Sequence, residues 1–343
     1  MRATKLSGAD ASSAGTASSA ASPRTRLLFV VLGAVSTASL VAGLTFGSFP
    51  MGIVHVVDSI VFPSPGLIHD IIWNLRAPRA LAAFACGGLL ALAGALLQVL
   101  LRNALADPYI LGVSGGASLG ALVALTLGAG AFAINASAFA GAVGAIVLVF
   151  GLTYRTGDWN VYRLLLTGVV LSAGLSALIS LTLVLAPEAQ LKGMLFWLMG
   201  DLSQSEGAGP AWIALILLTA LSVAASLQLD LIQLGELKAR ALGVAVAPLQ
   251  TAVFCAAALA TVMAVVLGGA IGFIGLMAPH AIRLAGIVHH RALIPLAVLL
   301  GGSLLTVADT AARTAWAPQQ LPVGIFTALL GVPAMLLLIA RRR

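Results

Sequence analysis

"LLQVLLRNALADPYILGVSGGASLG", residues 96–120, sets an arginine, an asparagine, an aspartate and a proline between two apolar runs that carry no charge. A polar turn between greasy flanks raises the question of solvent. Only 8% of the 343 residues are charged and 60% are hydrophobic, against about 25% charged in an ordinary soluble domain. A bilayer core about 30 Å thick is crossed by roughly 20 apolar residues in a helix. Runs of that kind recur along the chain, each closed by Pro, Gly or a charge cluster, at about 27–47, 80–101, 109–129, 136–153, 163–185, 210–228, 250–270, 272–288, 292–310 and 322–340. The eighth is short, is interrupted by Pro279 and carries His280 and Arg283. The pattern predicts an all-α polytopic membrane protein of ten transmembrane helices, occupying residues 23–343.

Orientation follows from lysine and arginine, because positive loops are retained in the cytoplasm. With the N-terminus inside, fourteen of the eighteen fall on cytoplasmic segments, and only Arg76, Arg79, Lys192 and Arg313 fall outside. Both termini are therefore expected in the cytoplasm, and the net charge of +7 reflects membrane orientation rather than a nucleic-acid partner. Residues 1–22 are Ser/Ala-rich, with too little apolar surface to order themselves, and read as a disordered cytoplasmic tail. Cys86 and Cys255 lie in predicted spans far apart in sequence, as buried thiols rather than a disulfide framework. His280, His289 and His290 fall near the cytoplasmic side, where solvation is the expected state.

Lipid offers no hydrophobic drive for helices to associate, so small side chains that permit close packing take over. Gly112, Gly116, Gly120, Ala124 and Gly128 form such a stripe, and Ala256, Ala260, Ala264, Gly268 and Gly272 another. A third, Gly168, Ser172, Ser176 and Ser180, is mostly hydroxylic; its spacing allows either helix packing or the lining of a polar path. No glycine-rich loop precedes any of the three lysines, so ATP hydrolysis by the P-loop route is not expected of this chain. No span combines two carboxylates, or a carboxylate with His, as a proton relay would want. No catalytic or metal-binding constellation stands out.

The largest cytoplasmic loop is "DLIQLGELKARALGVAVAPLQ", residues 230–250. Glu236–Leu242 reads as a short helix that Gly243 ends in a left-handed cap, with Leu234, Leu237, Ala241 and Leu242 on one apolar face. An apolar face on a cytoplasmic loop calls for a partner.

The opening hairpin is similar to the "RNPLADPxILGVSxGA" signature of the FecCD-type, type II permeases of ATP-binding cassette importers, which take up iron complexes, heme and cobalamin. So are "LRAPRALAAFACGGLLALAGALLQ" (75–98), "LGELKARALGV" (234–244), "GFIGLMAPHAIRLAG" (272–286) and "ADTAAR…LPVGIFTALLGVPAMLLL" (308–338), in the same order. The resemblance implies a ten-span homodimer in the bacterial inner membrane, two ATPase subunits that bind the ATP and Mg, and a periplasmic substrate-binding protein. No cofactor and no catalytic residue are implied for this chain. Arg76, Arg79 and Arg313 match arginines that dock the binding protein. Glu236, Leu237, Ala239, Leu242 and Gly243 match the coupling helices, about residues 230–248, that seat in the ATPase. Asn103 and Leu105, with Val161 and Tyr162, fall at the family's cytoplasmic gate, and Gly168, Ser172, Ser176 and Ser180 become candidates for the path. Ala104 departs from the signature proline, and Val161 with Tyr162 replaces a small hydroxylic pair. The expected cargo is heme, ahead of a ferric siderophore and of cobalamin. An ion-coupled secondary transporter is the alternative from another class.

Overall fold

The computed structural model describes residues 22–47, 49, 51–62, 66–154, 161–203 and 207–340. The expected tail, save Ser22, lies outside them, as do Arg155 and residues 341–343. The described chain is all helical. It runs through α1 (Pro23–Thr45), α2 (Ile53–Val61), α3 (Leu67–Asp70), a π turn (Ile71–Arg76) and α4 (Ala77–Leu100). A 3-10 turn (Pro108–Leu111) leads into α5 (Val113–Thr126), α6 (Ala131–Tyr154), α7 (Val161–Leu185) and α8 (Glu188–Leu198). α9 (Gly209–Ala224), α10 (Ser226–Gln233), α11 (Glu236–Ala241) and α12 (Val246–Gly268) follow, then α13 (Ile274–Leu284), α14 (His290–Thr314) and α15 (Val323–Ala340).

Each predicted span has its helix, but they are not equally long. Six are long and apolar enough to cross a bilayer: α1, the continuous run Leu67–Leu100, α6, α7, α12 and α14. α9 and α10, bent by 62°, reach that length only when taken together as one broken run. α5, α13 and α15 are shorter. The second span begins at Leu67 and not near residue 80, because the π turn immediately before Pro78 carries the helix through a residue that has no amide to donate.

α4 is the axis of the fold, with 94% of its apolar window buried. Its glycines permit this. A Cβ added at Gly87 would run into the Gly301 carbonyl of α14, and one at Gly94 into the Gly275 carbonyl of α13. The α5 stripe works in the same way against α6, where Gly116 meets the Gly141 carbonyl and Gly120 meets that of Ser137. Gly112 and Gly128 are not packing residues. They hold left-handed conformations, φ 73° and 69°, at the two ends of α5. In α12, Gly268 lies against Cys86 of α4, whose thiol donates to the Ala264 carbonyl at 3.4 Å. Cys86 is buried as expected, whereas Cys255 is exposed on the far side of α12.

The short helices have a physical cause. Gly275 touches both the Leu90 carbonyl of α4 and the Pro108 ring. Gly275 also lies against Gly94, six residues before Leu100, so the break before α13 lies well inside the bundle, about 9 Å along α4 from that end at 1.5 Å per residue. Irregular backbone at such depth must be satisfied by protein. Tyr109 does this: its hydroxyl accepts from the Ile271 amide at 2.9 Å and donates to the Ile271 carbonyl at 2.8 Å. One side chain thus closes the gap between the 3-10 turn before α5 and the break before α13.

Candidate functional site

At one end of the bundle the chain gathers Arg76, Arg79 and Arg313, from the π turn, the start of α4 and the end of α14. None of them stands free on a rim, as outward-facing docking arginines were expected to: they are 5%, 9% and 6% exposed. Arg76 caps α1, donating to the Leu44, Thr45 and Phe49 carbonyls at 2.8, 2.7 and 2.5 Å. The first two are carbonyls that the helix end leaves without intrahelical partners. Arg79 grips Asp309 from Nε and Nη2 at 3.0 and 2.9 Å, and donates from Nη1 to Gln320 at 2.7 Å. Arg313 stands 3.1 Å from the other Asp309 oxygen and donates to the Gly43 carbonyl at 3.1 Å.

The cluster therefore opposes three guanidiniums with one carboxylate. Its surplus faces a recess of about 320 Å³, which all three arginines line together with Phe49, Ser203 and Gln320. Asp309 and Gln320 escaped the sequence reading. The signal was present: Asp309 and Arg313 are four residues apart, on one face of α14.

The opposite end carries the opening hairpin and α11. Arg102, the first turn residue, takes a left-handed φ of 47°, and Asn103 shapes the rest of the turn. The Asn103 amide donates to the Gln98 carbonyl at 3.2 Å, and its side-chain oxygen accepts from the Leu105 amide at 2.9 Å. Asn103 thus builds the loop, and Leu105, 47% exposed, is the apolar side chain that the loop presents. Asp107 caps the 3-10 turn by accepting from the Tyr109 amide at 2.9 Å. Burial raises its carboxyl above the usual range, and that hydrogen bond opposes the rise. Tyr162, in the first turn of α7, is 75% exposed. Val161 begins that helix, and its side chain lies outside the described residues.

Of the hydroxylic stripe, Gly168 is closed to any path, since it is buried against the Ile110 carbonyl. Ser172 is half-buried, and Ser176 and Ser180 are exposed. Ser180 donates to the Ser176 carbonyl at 2.9 Å, so its hydroxyl is not an orphan.

α11 ends as its sequence predicts, at Gly243 with φ 83°. Leu234, Leu237 and Leu242 are 58%, 86% and 61% exposed, so the expected apolar face is presented outward. Ala239, expected among the coupling residues, is instead turned inward and fully buried. Glu236 is committed to its own chain: it accepts from Gln250 at 3.1 Å and pairs with Arg102 of the hairpin at 3.6 Å. The histidines nearby are not solvated as a group. His280 and His290 are buried, and His290 Nδ1 lies 2.5 Å from Asp230, which ties the start of α14 to α10.

Comparison with known proteins agrees with this architecture. The vitamin B12 import system permease protein BtuC of Escherichia coli O9:H4 (strain HS) is 36% identical over 277 residues, covering 79% of this chain and 84% of the relative. The BtuC of Escherichia coli O157:H7 is 37% identical over 275 residues, covering 79% and 83%. Among solved structures, an inward-facing conformation of a metal-chelate type ABC transporter superimposes with a TM-score of 0.79 at 28% identity, over 92% of this chain and 99% of that one. PsaBC from Streptococcus pneumoniae in complex with Fab shares the fold, with a TM-score of 0.54 at 16% identity, over 83% and 95%. Residues 31–341 match the FecCD transport family. The chain belongs to that family, as a membrane permease subunit of an ABC importer.

Proposed function

We propose that residues 23–343 form, with a second copy of the chain, the channel of an importer for a large metal chelate. Two ATPase subunits, which bind the ATP and Mg, drive it from the cytoplasm. A periplasmic binding protein loads it from outside. The observation that carries this reading is the difference between the two ends of the bundle. One offers a recess with more guanidinium than carboxylate, suited to an acidic side chain from a binding protein. The other offers an outward leucine face on α11 and a hairpin that presents Leu105. Arg76, Arg79 and Arg313 then act as a recessed docking socket. Leu237, Leu242 and the Gly243 cap belong to the coupling surface, and Leu105 and Tyr162 to the cytoplasmic gate. The second copy covers α7, whose apolar window is only 6% buried and which bears the exposed Ser176 and Ser180. The chain sits in the bacterial inner membrane with both termini in the cytoplasm.

Heme is the first reading of the cargo, supported by the bulk of Leu105 and Tyr162 and by the lack of charged residues along α7 beyond Arg163 in its first turn. Cobalamin is the second, favoured by the BtuC relatives. The test is reconstitution with a cognate ATPase and binding protein, followed by uptake into proteoliposomes. Uptake of heme that requires ATP and competes poorly with cobalamin supports the first reading, and the reverse preference supports the second. Accumulation without any ATPase, dissipated by an ionophore, would overturn both.

A further inference from the structure

A second and larger cavity, of about 730 Å³, lies at the arginine end of the bundle, and the proposed function leaves it unused. α8 forms its roof through Ala189, Lys192, Gly193, Phe196 and Trp197, the spacing of one helical face. Met263, Val266 and Leu267 of α12 supply an apolar wall. Asn135 of α6, Asp201 and Gln320 contribute polar groups from separate parts of the chain. No residue of α7 or of the gate hairpin lines it, and of its lining only Gln320 also borders the arginine recess. At Gly193 an added Cβ would meet nothing within 4 Å, so the space reaches the roof helix itself.

The polar groups define a ligand. Among the described residues Lys192 has no carboxylate partner; its ammonium stands 5.9 Å from the centre of the Phe196 ring. The Asn135 amide has no hydrogen-bond partner among the described residues either. Asp201 is oriented by Ser203, whose amide and hydroxyl donate to it at 2.8 and 2.6 Å. The cavity thus shows one cation and one anion above an aliphatic and aromatic wall. It is walled by the last turn of α5 and of α12 and the first turns of α6 and α9, where helices end and a bilayer places its headgroups.

We propose that this cavity holds a zwitterionic phospholipid, with its phosphate at Lys192 and Asn135, its ammonium at Asp201 and its upper acyl chain along Phe196, Trp197 and α12. A free inorganic anion would use the lysine but waste the apolar wall. A purely anionic lipid would set its charge beside Asp201. The lipid fills the space between α8 and α12 and so seats the roof helix.

The test uses the full-length chain in vesicles of phosphatidylethanolamine and phosphatidylglycerol, with photoactivatable acyl-chain analogues of each and peptide mapping of the adducts. The phosphatidylethanolamine probe should label residues 189–197 and 263–267 well above the exposed α1 face at Leu27–Val35. Gly193→Leu should bring cavity labelling down to the α1 level. Lys192→Gln, on an exposed rim that folding does not depend on, should lower it roughly tenfold, the factor expected for one charge-assisted contact. Cavity labelling no stronger than that of α1, or indifferent to both substitutions, would overturn the proposal. So would equal labelling by the phosphatidylglycerol probe, which has no ammonium for Asp201.

Discussion

Asp309 is the residue on which the arginine end depends. A single buried carboxylate holds Arg79 at 2.9 Å and Arg313 at 3.1 Å, and removing one partner of a buried pair leaves charge without compensation. Asp309→Asn should therefore cost about 3–5 kcal/mol, read as a lower Tm and a poor yield of folded protein. Arg76 is not bound to Asp309, so Arg76→Gln should cost only about 1.5–3 kcal/mol, the worth of hydrogen bonds from a charged donor. It should also weaken docking of the binding protein, with a loss that shrinks as salt rises. Docking by Arg76→Gln equal to that of the parent at low salt would confine this arginine to capping α1. At the other end Asp107 titrates against its own cap. Its folded pKa is raised, so its contribution to stability is full in acid, below the unfolded value, and is lost as pH rises through the folded value. Asp107→Asn keeps the acceptor for the Tyr109 amide and should flatten that acid-side dependence, whereas Asp107→Ala should lose about 1 kcal/mol at any pH. Thermal melts across the acid range separate the two.

Among the elements, what was legible in the sequence was whatever repeats. The ten apolar runs, most of the small-residue stripes and the Gly243 cap are local patterns that appear as helix, close contact or left-handed glycine; Gly272, past the end of α12, is the exception, with nothing within 4 Å of where a Cβ would stand. What escaped was set by partners distant in sequence. The burial of Arg79 depends on Asp309 and Gln320, more than two hundred residues away, and that of His290 on Asp230. Helix lengths were hidden for the same reason. α5 and α13 start deep in the bundle because Tyr109 satisfies Ile271, a pairing that no periodicity reveals. Gly168 looked like its hydroxylic neighbours until the Ile110 carbonyl was found against it. One such distant contact joins two elements of the proposed machine: Arg102 of the hairpin pairs with Glu236 at the start of α11, with both side chains partly exposed. A surface pair of this kind contributes under about 1 kcal/mol to stability, so Arg102→Glu or Glu236→Arg should leave the fold intact. Each single reversal should raise the ATP hydrolysed per cargo moved, because α11 then shifts without carrying the hairpin with it. The double reversal should restore the ratio. Equal ratios in all four proteins would mean that the pair does not transmit movement.

For the whole molecule, the proposed function puts the two ends on opposite sides of the membrane and has the hairpin seal the path between two copies of the chain. With Cys86 and Cys255 replaced, a single cysteine at Trp316, 67% exposed at the arginine end, should react with an impermeant reagent from outside. One at Lys238 on α11 should react only after the membrane is opened; the opposite pattern would invert the topology. The seal itself rests on how the hairpin is held. Arg102 and Asp107 keep the turn at a membrane face, because charge is costly at bilayer depth. Behind them Tyr109 is bolted to Ile271, and Gly112 starts an α5 that packs backbone to backbone on α6. The loop cannot swing on its own, yet Leu105 at its tip remains 47% exposed, and Tyr162 at the start of α7 75% exposed. An exposed leucine and tyrosine on rigid supports have the form of a plug that closes against a second copy. Leu105→Ala combined with Tyr162→Ala removes no buried contact and should leave assembly intact. Complexes carrying both changes should release preloaded heme or cobalamin from proteoliposomes in the absence of nucleotide, while each single variant leaks less. A double variant as tight as the parent would move the seal to other residues of the hairpin and α7.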